Sequence, residues 1–415
     1  MTMIIKRDYY LQQLISSKSN NLIKIVTGIR RSGKSFLLFN LFHNHLIETG
    51  ISEDHIIEIA LDDRLNKNLR DPDVILQHIH ERIVDDKLYY IILDEVQMID
   101  EFTDVLNSLL HIRNADVYVT GSNSKFLSKD VVTEFRGRGD EIHLFPLSFA
   151  ELYNSIGGDK FELWKSYYTY GGLPGILELD SEKKKAAYLR SLHETVYLKD
   201  IIERNNLKNS EEFMELMRVM ASCIGSPCNP SKLENTFKSV KNETLDRKTI
   251  SKYLSYMEDA FLIEKSMRYD IKGRKYIGTL SKYYFQDIGL RNALLNFRQV
   301  EENHIMENVI YNELRLRGFC VDVGMVEART AKERKQLEVD FVANMADRRY
   351  YIQSAFAMPD DAKREQECAS LKRIDDSFKK IIIMRDDIKP YHDNNGFYIV
   401  GVMDFLLKPD LMEQL

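Results

Sequence analysis

The sequence predicts an α/β fold with a mainly parallel sheet, followed by a mostly helical segment and a second, smaller α/β domain. Short apolar runs alternate with helical patterns as far as residue 145, which is typical of a parallel sheet covered by helices. Helical periodicity dominates from about 205 to 260, and mixed strand and helix patterns return after 300. A length of 415 residues fits two or three domains of about 150 residues each.

The first domain is expected to contain strands at 22–28, 56–61, 88–93, 117–120 and 141–145, with helices from Ser35 to Thr49 and after Asp71-Pro72. The pattern weakens near Gly157-Gly158, and the strongest break is Gly171-Gly172-Leu173-Pro174-Gly175. The end of this domain is therefore expected between those two points.

Beyond residue 205, three helical patterns precede two strand-like runs at 262–269 and 282–286, with Lys272-Gly273-Arg274-Lys275 between them. Three helices and a two-stranded wing predict a winged helix-turn-helix. The predicted domains are 1–156, a helical connector or lid at 157–204, the winged helix at 205–290 and a C-terminal α/β domain at 291–415.

The composition excludes several classes of protein. With 58 Lys and Arg against 64 Asp and Glu, the net charge of −6 excludes a globally basic nucleic-acid coat, but not a local basic face. No apolar stretch approaches the roughly 20 residues of a membrane span, and the start lacks the apolar core of a signal peptide. The four cysteines lack C-x-x-C spacing and indicate reduced thiols, so we expect a cytoplasmic protein.

Residues 28–35, Gly-Ile-Arg-Arg-Ser-Gly-Lys-Ser, match the phosphate-binding pattern G-x-x-x-x-G-K-[ST] between an apolar strand and a helix. The backbone N–H groups of such a loop surround phosphates at a helix N-terminus, where the helix dipole favours negative charge. Lys34 is expected to reach the β- and γ-phosphates, and the Ser35 hydroxyl to ligate Mg²⁺. The predicted nucleotide-binding residues are Gly28, Arg30, Arg31, Ser32, Gly33, Lys34, Ser35 and Phe36.

The apolar strand that begins at Tyr89 ends in two carboxylates, Asp94 and Glu95. Asp94 is expected to hold Mg²⁺ through water, and Glu95 to accept a proton from the attacking water. Because a module that only binds nucleotides needs no base, this pair predicts hydrolysis.

Two weaker signals follow along the chain. Thr120, Ser122 and Asn123 come where the next strand ends, and ligands bind at the carboxyl ends of parallel strands. One of these side chains is therefore a candidate to orient the water; a plain turn is the alternative. Arg136 and Arg138 precede the strand at 141–145 and are candidates to stabilise charge on a neighbour's γ-phosphate, or are solvated side chains.

These motifs resemble those of the bacterial and archaeal AAA-type ATPases that carry a C-terminal domain of unknown function. The resemblance spans nearly the whole chain, through GIRRSGKS (28–35), YYIILDEVQ (89–97), VYVTGSNSKFLS (117–128), FRGRGDEIHLFPLSFAEL (135–152), TISKYLSYMEDAFLIEK (249–265) and LEVDFVA (337–343). It implies a P-loop core with an additional strand and ATP rather than GTP. It also implies a water-sensing residue at Thr120 or Ser122 and an arginine finger at Arg136 or Arg138.

The predicted winged helix is locally basic. Between Lys232 and Lys282, twelve Lys and Arg stand against seven Asp and Glu. Recognition helices and wings meet DNA phosphates, although winged helices also serve as protein contacts or lids. The candidate DNA contacts are Arg247, Lys248, Lys252, Arg274 and Lys275.

The last domain resembles a restriction-endonuclease-like core, which uses a helix glutamate followed by D-x(n)-(E/Q)-x-K on two strands. Glu307 or Glu313 is the helix glutamate, Glu338 and Asp340 share one strand face, and Gln353 takes the E/Q position. Ala355 stands where the lysine belongs. Because that lysine works near the nucleophile and the developing charge, we expect a degenerate domain that binds but does not cleave.

The sequence thus predicts a Mg²⁺-dependent ATPase whose cycle switches the contacts of its C-terminal half. The expected partners are ATP, double-stranded DNA and further copies of the chain. The alternatives are an ATP-gated DNA-processing or defence nuclease, and a nucleotide-gated scaffold with a protein partner.

Overall fold

The computed structural model describes residues 5–121, 137–241, 245–329 and 334–414. They form two compact units: the first reaches Pro146 and includes Asp259–Phe261, and the second comprises Leu147–Glu258 and the chain from Leu262 onward. None of the helices in these ranges is long and apolar enough to cross a membrane.

The first unit is built on a five-stranded parallel sheet with the order β2-β3-β4-β1-β5. Its strands are β1 (Ile23–Thr27), β2 (Ile56–Ala60), β3 (Tyr89–Asp94), β4 (Ala115–Thr120) and β5 (Gly139–His143). Strand β4 lies between β1 and β3, which confirms the P-loop core with an additional strand.

Helices cover both faces of this sheet. They are α1 (Asp8–Ser16), α2 (Lys34–Phe36, continued by Leu37–Phe42 and His43–Glu48), α3 (Pro72–Arg82) and α4 (Phe102–Leu109). Alternate residues of β3 enter opposite cores: Ile91 packs with Ile25 and Val119 on one face, and Ile92 with Val26 and Leu38 on the other. Burial on both faces explains why these strands are continuous apolar runs rather than alternating ones.

The second unit contains an eight-stranded mixed sheet with the order β12-β13-β11-β10-β9-β8-β6-β7. Its strands are β6 (Ile263–Asp270), β7 (Lys275–Phe285), β8 (Cys320–Arg329), β9 (Arg334–Met345), β10 (Arg348–Ala355), β11 (Lys379–Met384), β12 (Tyr391–His392) and β13 (Tyr398–Gly401). Neighbouring residues of β11 again serve two cores, with Ile381 and Ile383 on one face and Ile382 on the other.

The helices of the second unit are mostly N-terminal to its sheet. They are α5 (Phe149–Ile156), α6 (Lys160–Tyr170), α7 (Glu182–Leu192, continued by His193–Leu198 and Lys199–Asn205), α8 (Ser210–Ser222), α9 (Pro230–Thr236, continued by Phe237–Lys241), α10 (Arg247–Asp259), α11 (Ile288–Leu294), α12 (Glu302–Leu316), α13 (Asp361–Cys368) and α14 (Val402–Leu407). Phe149, Trp164 and Ile310 bring α5, α6 and α12 onto one face of the sheet.

The glycine-rich segment at 171–175 lies inside the second unit rather than near a domain boundary, and the first unit ends earlier than expected, at Pro146. The backbone N–H of Gly172 donates to Asp287 Oδ2 at 2.8 Å, and a Cβ at this glycine would lie 2.2 Å from the carbonyl oxygen of Leu147. These glycines therefore permit close packing of backbones. In the sequence alone, the same glycine-rich composition is also typical of a linker between domains.

The three helices and two strands expected between 205 and 290 are present as α8, α9, α10, β6 and β7. The two strands do not form a separate wing, because β6 pairs in parallel with β8 of the C-terminal strands. The structure thus differs from the expected boundary at 290/291, which would divide one sheet. The winged-helix assignment itself stays a prediction.

Candidate active site

The loop between β1 and α2 requires glycine at its first position. Gly28 has a φ of +133°, and a Cβ there would lie 2.2 Å from the carbonyl oxygen of Leu144. Gly33, with a φ of +100°, immediately precedes Lys34 at the start of α2. The backbone at both positions is one that residues with side chains rarely adopt, so the glycines of the motif fix the shape of the loop.

Lys34 is buried within this loop. Its Nζ donates to the carbonyl oxygens of Gly28 at 3.0 Å and of Ile29 at 3.2 Å. Burial lowers the pKa of Lys34 to about 8, against the opposing effect of the Glu95 and Asp94 carboxylates. An anion bound beside the ammonium would raise this pKa again, because an opposite charge stabilises the charged form.

The carboxylate of Asp94 connects three elements at the carboxyl ends of the strands. Ser35 Oγ, on α2, donates to Asp94 Oδ2 at 2.7 Å, and Thr120 Oγ1, on β4, donates to Asp94 Oδ1 at 2.5 Å. Burial raises the pKa of Asp94, and the two hydroxyls act in the opposite direction. Hydrogen bonds from both hydroxyls favour the ionised carboxylate. They also fix the two carboxylate oxygens of Asp94 beside the P-loop.

Glu95 follows Asp94 in a left-handed backbone conformation with a φ of +54°. Its N–H donates to Thr120 Oγ1 at 2.9 Å, and its carboxylate accepts from the Gln97 amide. Thr120 therefore fixes both acidic residues, which makes it a positioning residue for the pair. Ser122 and Asn123, the other candidates for orienting the water, lie outside the described residues.

The residues present fit a Mg²⁺ ion. A hydroxyl and a carboxylate are hard oxygen ligands of the type that Mg²⁺ prefers, and those of Ser35 and Asp94 are in direct contact at 2.7 Å. The other predicted nucleotide-binding residues surround this point in sequence: Ser32 is buried, Arg30 is half-buried, and Arg31 and Phe36 are exposed.

One residue that holds the P-loop in place was not among the residues expected from the sequence. The buried side chain of Arg7, just before α1, donates to the carbonyl oxygen of Ser32 at 3.3 Å and to that of Phe145 at 2.7 Å. It joins the P-loop to the segment after β5. A single arginine far from the motif gives no signal in the sequence, because only the fold brings it to the loop.

Arg138 lies at the amino-terminal end of β1, whereas the P-loop follows the carboxyl-terminal end of the same strand. Its carbonyl oxygen accepts from the N–H of Ile23, the first residue of β1, and its guanidinium donates to Asn107 at 3.4 Å. Strand β1 separates Ile23 from the loop by roughly 13 Å at about 3.3 Å per residue. Arg138 therefore cannot reach the P-loop of its own chain. Arg136 lies outside the described residues.

The candidate DNA contacts are all exposed and fall on two segments, the first turns of α10 and the turn between β6 and β7 together with the first residue of β7. Arg247 pairs with Glu234 at 3.2 Å. Two cations of the basic count, Arg268 and Lys282, are buried, so the positive excess on the surface is smaller than the sequence indicates.

Three of the nuclease-like carboxylates, those of Glu307, Glu338 and Asp340, converge on Lys282 of β7. Gln353 is half-buried on β10, and its Oε1 has no hydrogen-bond partner among the described residues. Glu313, the other helix candidate, instead pairs with Arg317 at 2.7 Å. Lys282 lies outside the motif, and no pattern in the sequence connects it with these carboxylates.

Comparison with known proteins identifies two regions of the chain. A family model described as an AAA domain matches residues 20–153, and one described as a domain of unknown function matches residues 161–301. An uncharacterized protein of Haemophilus influenzae is 34% identical over 414 residues, which cover 98% of this chain and 99% of the relative. An uncharacterized protein of Methanocaldococcus jannaschii is 29% identical over 419 residues, covering 97% of this chain and 88% of the relative.

Solved structures give weaker matches. The Orc1 protein of Aeropyrum pernix in complex with DNA is 11% identical with a TM-score of 0.30, over 71% of this chain and 93% of that one. Cdc6p of Pyrobaculum aerophilum is 12% identical with a TM-score of 0.31, over 74% of this chain and 97% of that one. With TM-scores this low, the fold rests on the strand order of this chain and not on these matches.

Replacing Thr120 tests its role in holding the two acidic residues. Thr120→Val is expected to lower the free energy of unfolding by about 1.5–3 kcal/mol, because Asp94 and the N–H of Glu95 lose a buried partner. Thr120→Ser keeps the hydroxyl and is the matched control. Urea denaturation measures both, and equal stability of Thr120→Val and the parent would contradict the role.

Proposed function

Since the chain belongs to the AAA-type ATPases that also carry a domain of unknown function, we propose that it hydrolyses ATP with Mg²⁺ at the P-loop and the strand-end carboxylates. The contact that carries the proposal is the hydrogen bond between Ser35 Oγ and Asp94 Oδ2, 2.7 Å long. This contact supports a single site formed by the phosphate-binding loop and the acidic pair.

Each residue of the site has a separate role in this proposal. Lys34 binds the β- and γ-phosphates, and the N–H groups of residues 28–35 bind phosphate oxygens. Ser35 and Asp94 hold Mg²⁺, which neutralises charge on the phosphates when bound. Glu95, held by its contacts with Thr120 and Gln97, takes the proton of the attacking water. As the bond from that water to the γ-phosphorus forms, the bond from the γ-phosphorus to the bridging oxygen breaks and ADP leaves with that oxygen.

The proposal includes an arginine supplied between copies of the chain. Arg138 lies beside the first residue of β1, at the end of the strand away from its own P-loop. A γ-phosphate within its reach must therefore belong to a neighbouring copy. A guanidinium there would stabilise charge that develops on the transferred phosphoryl group. Hydrolysis would then depend on assembly, and the cycle would switch the contacts of the C-terminal half.

A second candidate function, contact with double-stranded DNA, rests on the exposure of five basic residues on α10 and the β6–β7 turn. Arg274 ends the turn and Lys275 begins β7, and both side chains are exposed. Phosphate contacts of this kind bind without sequence preference and weaken steeply with salt.

Two substitutions separate binding from hydrolysis. Lys34→Ala is expected to abolish ATP binding, because it removes the charge that meets the phosphates. Glu95→Gln is expected to bind ATP but lose at least about 100-fold in turnover, because an amide cannot accept the proton of the water. A fluorescent ATP analogue measures binding, and phosphate release measures turnover.

The matched control for the base is Glu101→Gln, which makes the same change at a nearby exposed residue. It is expected to keep parental turnover. Loss of binding in Glu95→Gln as complete as that in Lys34→Ala would contradict the separate roles, and full turnover in Glu95→Gln would remove Glu95 as the base.

The neighbour-supplied arginine predicts turnover per subunit that rises with protein concentration. Arg138→Ala is expected to bind ATP and to lose about 10³-fold in turnover. Mixing it with Glu95→Gln protein should restore part of the activity, because some interfaces then pair an intact base with an intact arginine. Arg113→Ala, at another exposed arginine of this unit, is the control. Constant turnover on dilution, with no rescue on mixing, would make Arg138 a surface residue.

The DNA candidate predicts a salt-dependent affinity that falls by about 0.9 in log K per phosphate contact for each tenfold rise in salt. Changing Arg274 and Lys275 together to alanine should make this slope shallower by about 1.8, the equivalent of about two phosphate contacts. Fluorescence anisotropy on duplex DNA measures the slope. The control is the change of Lys183 and Lys184 to alanine, which removes the same charge from another exposed segment and should leave the slope unchanged. Equal slopes for the two double variants, or no binding at low salt, would favour the protein-scaffold alternative.

A further inference from the structure

A second buried lysine lies far from the P-loop in sequence. Lys282, three residues before the end of β7, is 1% exposed. Its Nζ is 2.8 Å from Glu307 Oε1 on α12, 2.8 Å from Glu338 Oε1 and 3.7 Å from Asp340 Oδ1, both on β9. One ammonium therefore faces three carboxylates from two other elements.

The carboxylates have further donors that keep them facing this point. The Tyr284 hydroxyl donates to Glu307 Oε1 at 2.8 Å, and the N–H of Ser354 donates to Asp340 Oδ2 at 2.8 Å. Burial alone would lower the pKa of Lys282, but the three carboxylates outweigh it and raise the pKa, so the side chain stays an ammonium. Burial raises the pKa of Asp340, and Lys282 opposes that rise.

The resemblance to a restriction-endonuclease-like core implies a divalent metal ion at these carboxylates. The residues present do not fit one, because the ammonium of Lys282 occupies the point on which the carboxylate oxygens converge. Across the part of the chain that the structure describes, no group of three or more His, Cys, Asp and Glu side chains is arranged to hold a metal ion. The Oε1 of Gln353 has no hydrogen-bond partner within those residues.

We infer that Lys282 is a tethered cation that replaces the divalent metal ion of this core and closes it. Its ammonium joins β7 to β9 and α12, elements that the sequence assigns to different domains. The core is thereby a structural junction in place of a cleavage site. Lys282 occupies the place of the metal ion itself, whereas Ala355 only removes a lysine near the reacting atoms.

The test is the thermal unfolding of the full chain in chelator and in Mn²⁺ or Ca²⁺, without nucleotide. An Asp94→Asn background removes the metal ligand of the proposed ATP site. With Lys282 present in that background, the midpoint temperature of unfolding is expected to be the same in chelator and in Mn²⁺ or Ca²⁺. Lys282→Met should lower the midpoint by several degrees in chelator and regain part of the loss in Mn²⁺ or Ca²⁺, because three carboxylates become available as oxygen ligands.

Lys265→Met, at an exposed lysine on the neighbouring strand β6, is the matched control and should behave like the parent. If Lys282→Met does not fold, the triple variant with Glu338→Gln and Asp340→Asn is used, since it removes the excess negative charge. That variant should fold and show no response to metal.

Two results would overturn the inference. One is stabilisation of the chain by Mn²⁺ or Ca²⁺ while Lys282 is present, or cleavage of duplex DNA in Mn²⁺ that Lys282→Met abolishes; either would favour the nuclease alternative. The other is a Lys282→Met variant as stable in chelator as the parent, which would leave the lysine without a structural role. Neither depends on ATP hydrolysis, so failure here is distinguishable from failure of the proposed ATPase.

Discussion

The geometry of the candidate site depends on the carboxylate of Asp94. It accepts hydrogen bonds from Ser35 at the start of α2 and from Thr120 at the end of β4. These contacts follow from the strand order, because β4 lies between β1 and β3 and so ends between the P-loop and the acidic pair. With β1 directly beside β3, no residue of β4 would lie there to hold both Asp94 and the N–H of Glu95.

Burial gives the two charged groups of this site opposite pKa shifts. It raises the pKa of Asp94 and lowers that of Lys34 to about 8. A bound cation would lower the first and a bound anion would raise the second, because opposite charges favour the ionised forms. A Mg²⁺–nucleotide complex brings both charges at once. Binding of such a ligand would therefore favour the charged forms of both side chains.

Local patterns in the sequence predict most of the first unit. The apolar runs give its five strands, and the G-x-x-x-x-G-K-[ST] motif between strand and helix predicts the loop, because both depend on neighbouring residues. Contacts between distant segments leave no such pattern. Arg7 reaches the P-loop from a position 25 residues earlier in the chain, and Lys282 meets Glu338 across two intervening strands.

Glycines show why the expected boundaries were less reliable than the strands. At Gly28 and at Gly172 an added Cβ would strike a backbone carbonyl, at 2.2 Å in both cases. The first glycine belongs to a ligand-binding loop and the second to a packed junction, yet a linker has the same composition. Only the contact across the fold distinguishes these three uses of glycine.

The two buried lysines show how surroundings decide between a binding site and a structural one. Lys34 donates to two neutral carbonyl oxygens, and its pKa is lowered. Lys282 is surrounded by three carboxylates, and its pKa is raised. A buried ammonium that is hydrogen-bonded only to carbonyl oxygens can still gain a direct contact with an incoming phosphate, whereas one already paired with carboxylates would have to break those contacts first. The same side chain therefore favours ligand binding in the first unit and excludes a second cation in the other.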